Sequence, residues 1–131
     1  AHADLNRDGI PDIITANIGE PNRIYFGDPE LTFRLSITFD SGNDESYSVA
    51  VSDLDLDGDM DIIIANVGEP NTVFINKDNG QSWDKIILSE EKYNTYDILS
   101  ADLNNDQRPD VIECNSQAVN VYYFNRERVK N

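Results

Sequence analysis

Apolar residues in this chain come in short, dense runs, not at the spacing of a helix face. The clearest run is Ile62, Ile63, Ile64 and Ala65. It is β-branched, apolar at consecutive positions, and bounded by turn residues on both sides. Between Tyr47 and Tyr96 the pattern predicts four strands: A at about 47–52, B at about 61–67, C at about 72–76 and D at about 83–88. Asp57-Gly58, Gly68 to Asn71 and Lys77 to Gly80 separate them as turns. A strand apolar on both faces, like B, suits a small sheet sandwiched between neighbours more than a sheet with one wet face. Asn, Gly and Pro recur too often for long helices, and the fold class is all-β.

The same pattern returns. Segments 4–12, 53–61 and 102–110 read DLNRDGIPD, DLDLDGDMD and DLNNDQRPD, and their starts lie 49 residues apart both times. Residues 4–27 and 53–76 agree at 13 of 24 positions, including Ala-Asn-x-Gly-Glu-Pro-Asn at 16–22 and 65–71. The third copy keeps Asn115 and Asn120, and Tyr96 stands where Tyr47 does. Four short strands in every 40–50 residues fit one blade of a β-propeller. The expected division is repeat 1 at about 1–46, repeat 2 at about 47–95 and an incomplete repeat 3 at about 96–131. That gives about two complete four-stranded blades and part of a third. The first strand A is reduced to His2 and Ala3, and the third repeat ends after strand C near Asn125, followed by a polar tail at 126–131. Closed propellers use 4–8 blades. The chain is therefore expected to be an excised segment of a longer protein, or to associate through open blade edges, homo-oligomers included.

The 131 residues hold 25 Asp plus Glu against 10 Lys plus Arg, a formal charge of −15. Such a field repels phosphate backbones, so nucleic-acid partners are excluded and cations are invited. No apolar run approaches the ~20 residues of a membrane span. The N-terminus shows no basic-then-apolar signal, so a cytosolic, processed or excised chain is expected. One cysteine, Cys114, precludes an internal disulfide, and one histidine, His2, leaves a His-based triad without its parts. Cys114 is expected to be a small buried hydrophobe.

The three acidic segments carry the candidate chemistry. Each offers side-chain oxygens at positions 1, 3, 5 and 9: Asp4, Asn6, Asp8 and Asp12; Asp53, Asp55, Asp57 and Asp61; Asp102, Asn104, Asp106 and Asp110. Position 7 is Ile10, Asp59 and Arg108, which share only a backbone carbonyl. Alternating hard oxygen donors on a tight loop, with neither His nor thiolate, select Ca²⁺. Up to three ions are expected, one per loop. The loop opens like an EF-hand, but that motif needs a Glu at position 12 and a following helix. Position 12 here is Thr15, Ile64 and Glu113, and the run after the loop is strand-like, so the EF-hand is set aside. Asp and Asn favour plain polar turns too. A plain turn does not require oxygen donors at the same four offsets in three copies. The second loop, with four carboxylates, is expected to bind tightest. The third is expected to bind weakest, because Gln107 replaces the glycine of the turn.

These loops, each followed by an apolar strand, then Ala-Asn-x-Gly-x-Pro-Asn and an aromatic strand, resemble FG-GAP/VCBS repeats, the blades of integrin-α-like and many bacterial extracellular propellers. The resemblance implies a Ca²⁺ between strands A and B of each blade, held by the residues above, and a secreted or surface location. It departs at Gln107 and at residues 114–120, where Gly-Glu-Pro is missing.

The remaining motifs favour structural roles. Gly19 to Asn22 and Gly68 to Asn71 read as B–C turns, and Asn17, Asn66 and Asn115 as caps of backbone groups. The strand C aromatics and Trp83 read as packing between sheets, although sugar stacking is the alternative. Glu20 and Glu69 are repeat-matched acids outside the loops, and no catalysis is assigned to them. The sequence reading is thus a non-catalytic extracellular interaction or adhesion scaffold with a protein or glycan ligand. The alternatives are a calcium-dependent carbohydrate-binding module and a non-catalytic fragment of a secreted polysaccharide-active enzyme.

Overall fold

A computed structural model describes residues 1–126; the expected polar tail at 127–131 lies outside the described residues. The described chain has no helix and eleven strands in three antiparallel sheets. The first sheet runs β1 (His2–Ala3), β2 (Asp12–Thr15), β3 (Arg23–Phe26) and β4 (Leu35–Thr38) in order. The second runs β5 (Ser46–Ser52), β6 (Asp61–Asn66), β7 (Thr72–Asn76) and β8 (Trp83–Ile87). The third contains β9 (Asn94–Ala101), β10 (Asp110–Ser116) and β11 (Val121–Tyr123), with β10 in the middle. The fold is thus all-β, with two four-stranded blades and a three-stranded one, and the middle-repeat strands fall within a residue of their expected bounds.

The sheets stack face to face, and alternation along β6 distributes the core between two interfaces. Ile62 and Ile64 pack towards the first blade, against Leu5, Ile14, Ile24 and Phe26. Ile63 and Ala65 pack towards the third, against Ile98 and Val111. Every residue of β6 is consequently buried. The outer blades bury one face only.

Polar links repeat with the same period. The Asn22 side-chain amide of the first blade donates to the Ser46 hydroxyl of the second at 2.9 Å, and that hydroxyl donates to the Asn66 side-chain oxygen at 2.9 Å. One period later, Asn71 donates to Thr95 at 2.8 Å, and Thr95 to Asn115 at 2.7 Å. Asn17, Asn66 and Asn115 also cap their own turns. Each backbone N–H donates to the side chain of Asn22, Asn71 or Asn120, and each side-chain amide donates to the carbonyl of Pro21, Pro70 or Val119. The third turn therefore keeps its shape without Gly-Glu-Pro. Gln117 adopts φ +59° where Gly19 and Gly68 stand at +68° and +72°.

The repeated tyrosines mark β-bulges. The pairing of β5 with β6 skips Tyr47, and that of β9 with β10 skips Tyr96. Their rings meet edge to face at 5.0 Å.

Two expectations need correction. Cys114 is only half-buried. Its counterpart Ala65 is covered by the third blade, whereas among the described residues no sheet lies on the equivalent face of β10. For the same reason Tyr122, on strand C, is 60% exposed and does not pack between sheets.

Candidate metal centre

Each acidic segment joins the first strand of a blade to the second, and its ninth residue anchors it. Asp12, Asp61 and Asp110 open the second strands and are completely buried. Each takes two backbone donors. Asp61 accepts from Leu54 N at 2.7 Å and Asn76 N at 2.9 Å; Asp12 accepts from Leu5 N and Gly27 N at 2.8 and 2.9 Å; Asp110 accepts from Leu103 N and Asn125 N, both at 2.8 Å. One carboxylate thus fastens the second residue of the loop to the end of strand C.

The first carboxylate shapes the turn. Asp4 accepts from Asp8 N and Gly9 N, Asp53 from Asp57 N and Gly58 N, and Asp102 from Asp106 N and Gln107 N, at 2.8–3.2 Å. Folding the chain this tightly requires two left-handed residues per loop. Position 4 is Arg7, Leu56 and Asn105, at φ +60°, +61° and +66°. Position 6 is Gly9, Gly58 and Gln107, at +83°, +92° and +68°. Glycine marks the second of these in two of the loops, whereas at the first only Asn105 is a residue type that favours this region.

The loops differ in how far their oxygens converge. In the second loop, Asp53, Asp55 and Asp61 each place one carboxylate oxygen within 4.8 Å of the others. Among the described residues this is the one cluster of its kind. Asp57 accepts instead from Asp59 N at 2.9 Å, and the Asp59 carboxylate forms an ion pair with Arg7 of the first loop. In the first and third loops, Asn6 and Asn104 donate to Asp8 and Asp106 at 2.9 and 3.0 Å. Ile10 and Arg108 hold the seventh positions there, as Asp59 does in the second loop. The Ile10 and Arg108 backbone N–H groups donate to Asp8 and Asp106. Sequence spacing could not foresee the two cations at the second loop. The Arg7 side chain also donates to the Asp57 carbonyl at 3.2 Å, and Lys77 Nζ lies 3.0 Å from an Asp55 oxygen.

Electrostatics follow from this crowding. Burial pushes the Asp61 carboxyl up to about 6, against the lowering effect of its two N–H donors, and the Asp55 and Asp57 carboxylates add to the rise. Burial raises Asp12 as well. The hydrogen bond to Asp55 raises the Lys77 ammonium in turn. Three oxygens this close, with Lys77 beside Asp55 and Arg7 engaged by Asp59, form a donor set suited to a hard divalent cation. Ca²⁺ takes oxygens at about 2.3–2.6 Å, which places neighbouring ligands at separations of this order.

No helix of the described residues is long and apolar enough to cross a membrane. No curated protein matches the chain. A family model, the FG-GAP-like repeat, matches twice, over residues 4–64 and 53–113. Each match begins at the first Asp of an acidic loop and runs into the second strand of the next blade, and the two are offset by the 49-residue period read from the sequence. The chain belongs to the FG-GAP-like repeat family.

Proposed function

We propose that this segment is a calcium-stabilised, non-catalytic scaffold of an extracellular or cell-surface propeller, presenting its exposed loops to a protein or glycan ligand. The observation that carries this reading is the convergence of Asp53, Asp55 and Asp61 at the joint of strands β5 and β6. Asp57 and the Asp59 carbonyl complete the donor set of the second loop. The first loop offers Asp4, Asn6, Asp8, the Ile10 carbonyl and Asp12; the third offers Asp102, Asn104, Asp106, the Arg108 carbonyl and Asp110. The ion supplies charge neutralisation: three divalent ions would reduce the formal charge of −15 to −9. Millimolar extracellular calcium matches the weak range of such modules. A non-catalytic role is supported by the commitment of the clustered acids to backbone donors and a cation, which leaves them poor proton shuttles.

The test is calcium titration of decalcified protein by calorimetry, paired with thermal melting. Binding to the folded state alone raises stability by RT ln(1 + [Ca²⁺]/Kd), about 2.7 kcal/mol at a hundredfold excess over Kd. The Asp53→Asn/Asp55→Asn double variant should lose the strongest site. Identical melting in calcium and in chelator would refute the reading.

A further inference from the structure

The first and second acidic loops are tied to each other by one side chain. Arg7 stands at position 4 of the first loop, between the candidate ligands Asn6 and Asp8, with its backbone at φ +60°. Its guanidinium leaves that loop and reaches the second, 50 residues away in sequence. There it forms the ion pair with Asp59 and donates to the Asp57 carbonyl at 3.2 Å. Asp59 Oδ1 is closed off from solvent, and the guanidinium is its counter-charge. The fit is close, for a Cβ added at Gly58 would stand 3.0 Å from Arg7 Nη2. One side chain thus grips residues 57 to 59, the backbone that presents positions 5 and 7 of the second loop. Leu56 holds position 4 of the second loop, so that loop sends no guanidinium to the third. Other ties are common to both pairs of neighbouring loops: Asn76 donates to the Leu5 carbonyl and Asn125 to the Leu54 carbonyl.

We infer that Arg7 couples the calcium sites of the first and second loops, so that an ion in one strengthens binding in the other. The inference rests on the calcium reading above and adds to it a dependence between two sites. The mechanism is ordering. Without a cation, the Asp4 and Asp8 carboxylates repel each other and loosen the turn that carries Arg7. Neutralised by an ion, they no longer push the turn apart, and Arg7 is held on both sides. Its guanidinium is then set where it fixes the Asp57 carbonyl and neutralises Asp59. The second loop has less freedom left to lose when its own ion binds. By linkage, occupancy of the second loop strengthens the first by the same factor. The arginine is half-exposed, so the coupling is modest, about two- to fivefold in affinity. Direct repulsion between neighbouring ions opposes it, and that repulsion acts between the second and third loops as well.

The test is calorimetry of the full 131-residue chain titrated with calcium chloride alone. The third loop is disabled throughout by Asp102→Asn/Asp106→Asn, because asparagine keeps an oxygen for the backbone donors. Three proteins are compared: both remaining loops intact, the first alone (Asp53→Asn/Asp55→Asn), and the second alone (Asp4→Asn/Asp8→Asn). The overall binding constant of the first protein, divided by the product of the other two constants, is the coupling. The set is repeated with Arg7→Leu, a side chain that position 4 of the second loop already carries at φ +61°. The coupling should be about two- to fivefold larger with arginine than with leucine, and the comparison cancels ion repulsion and the charges removed with each loop. Asp59→Asn, which removes the counter-charge and keeps the carbonyl, should lower the coupling as Arg7→Leu does. Both variants are checked by melting to be folded. In a mirror set with the first loop disabled, the coupling of the second and third loops should not respond to Arg7→Leu. Equal coupling with arginine and with leucine would overturn the inference, and so would an equal response to Arg7→Leu in the mirror set. Calcium binding without Arg7-dependent coupling would leave the scaffold reading standing. Absence of calcium binding at both loops would defeat that reading and the inference together.

Discussion

The side-chain amide of Asn76 donates to the carbonyl of Leu5 at 2.9 Å, across 71 residues of sequence and from one blade to the next. Asn125 repeats the link to Leu54 at 2.6 Å. Asn76 is fully buried, and its backbone N–H is already held by Asp61. One residue therefore joins strand C, the acidic loop of its own blade and the acidic loop of the blade before. Asn76→Ala leaves the buried Leu5 carbonyl without this donor and should destabilise by about 1–3 kcal/mol in urea unfolding. A change below about 0.3 kcal/mol would mean that water replaces the amide.

The hydroxyl relays should be unequal. Asn22 has a second partner in Asp40, which accepts from both its backbone and its side chain. Among the described residues no such carboxylate serves Asn71, whose side-chain amide donates to Thr95. Thr95→Val, which keeps shape and removes the hydroxyl, should therefore cost about 1–3 kcal/mol, and Ser46→Ala less. Equilibrium unfolding of the two single variants checks the order.

Gln107 holds φ +68° where the other loops have glycine. A side chain in that region costs about 1 kcal/mol. Gln107→Gly should strengthen calcium binding at the third loop by up to about fivefold, with the first two loops unchanged. Calorimetry of variants with one intact loop each reads this directly, along with the expected order of second, first, third.

Asp61 gives the metal-free protein a characteristic pH response. Its folded carboxyl is raised to about 6 from 3.8, so the folded state holds the proton more tightly than the unfolded state does. That contribution is present in full below about pH 4 and is lost as pH rises through 6. Mutual repulsion in a chain of charge −15 acts in the same direction. Decalcified protein should melt at lower temperature at pH 7 than at pH 5. Calcium needs the ionised carboxylate, so the gain in melting temperature that it confers should grow over the same interval. A calcium increment independent of pH would count against Asp61 as a ligand.

Much of this architecture was readable because it repeats. β6, β7 and the three acidic loops each show a local pattern, and the 49-residue offset turned weak patterns into a common frame. The inter-blade links were less visible for a physical reason. Ser46 and Thr95 are different residue types in unremarkable strands, and their roles arise only when Asn22 and Asn71 of the preceding blade approach them. Their shared offset was nonetheless present in the chain. Arg7 left no such trace, since Leu56 and Asn105 stand at its place in the other loops; Lys77 does have a cationic counterpart in Arg126, but that guanidinium lies over the Phe124 ring. The left-handed backbone at Arg7 and Leu56 was equally hidden, because geometry imposed by Asp4 and Asp53 overrides what those side chains prefer.

The double-sided burial of β6 has a mechanical corollary. Among the described residues the middle sheet has a neighbour on both faces and each of the other two has one, so in this 131-residue chain the outer sheets should open before the middle one. Fraying should start with β11 and β1, and β6 should be the last ladder to exchange its amides with solvent. Tension applied along the sequence would peel the sheets off one at a time, each release freeing a length of chain set by the repeat.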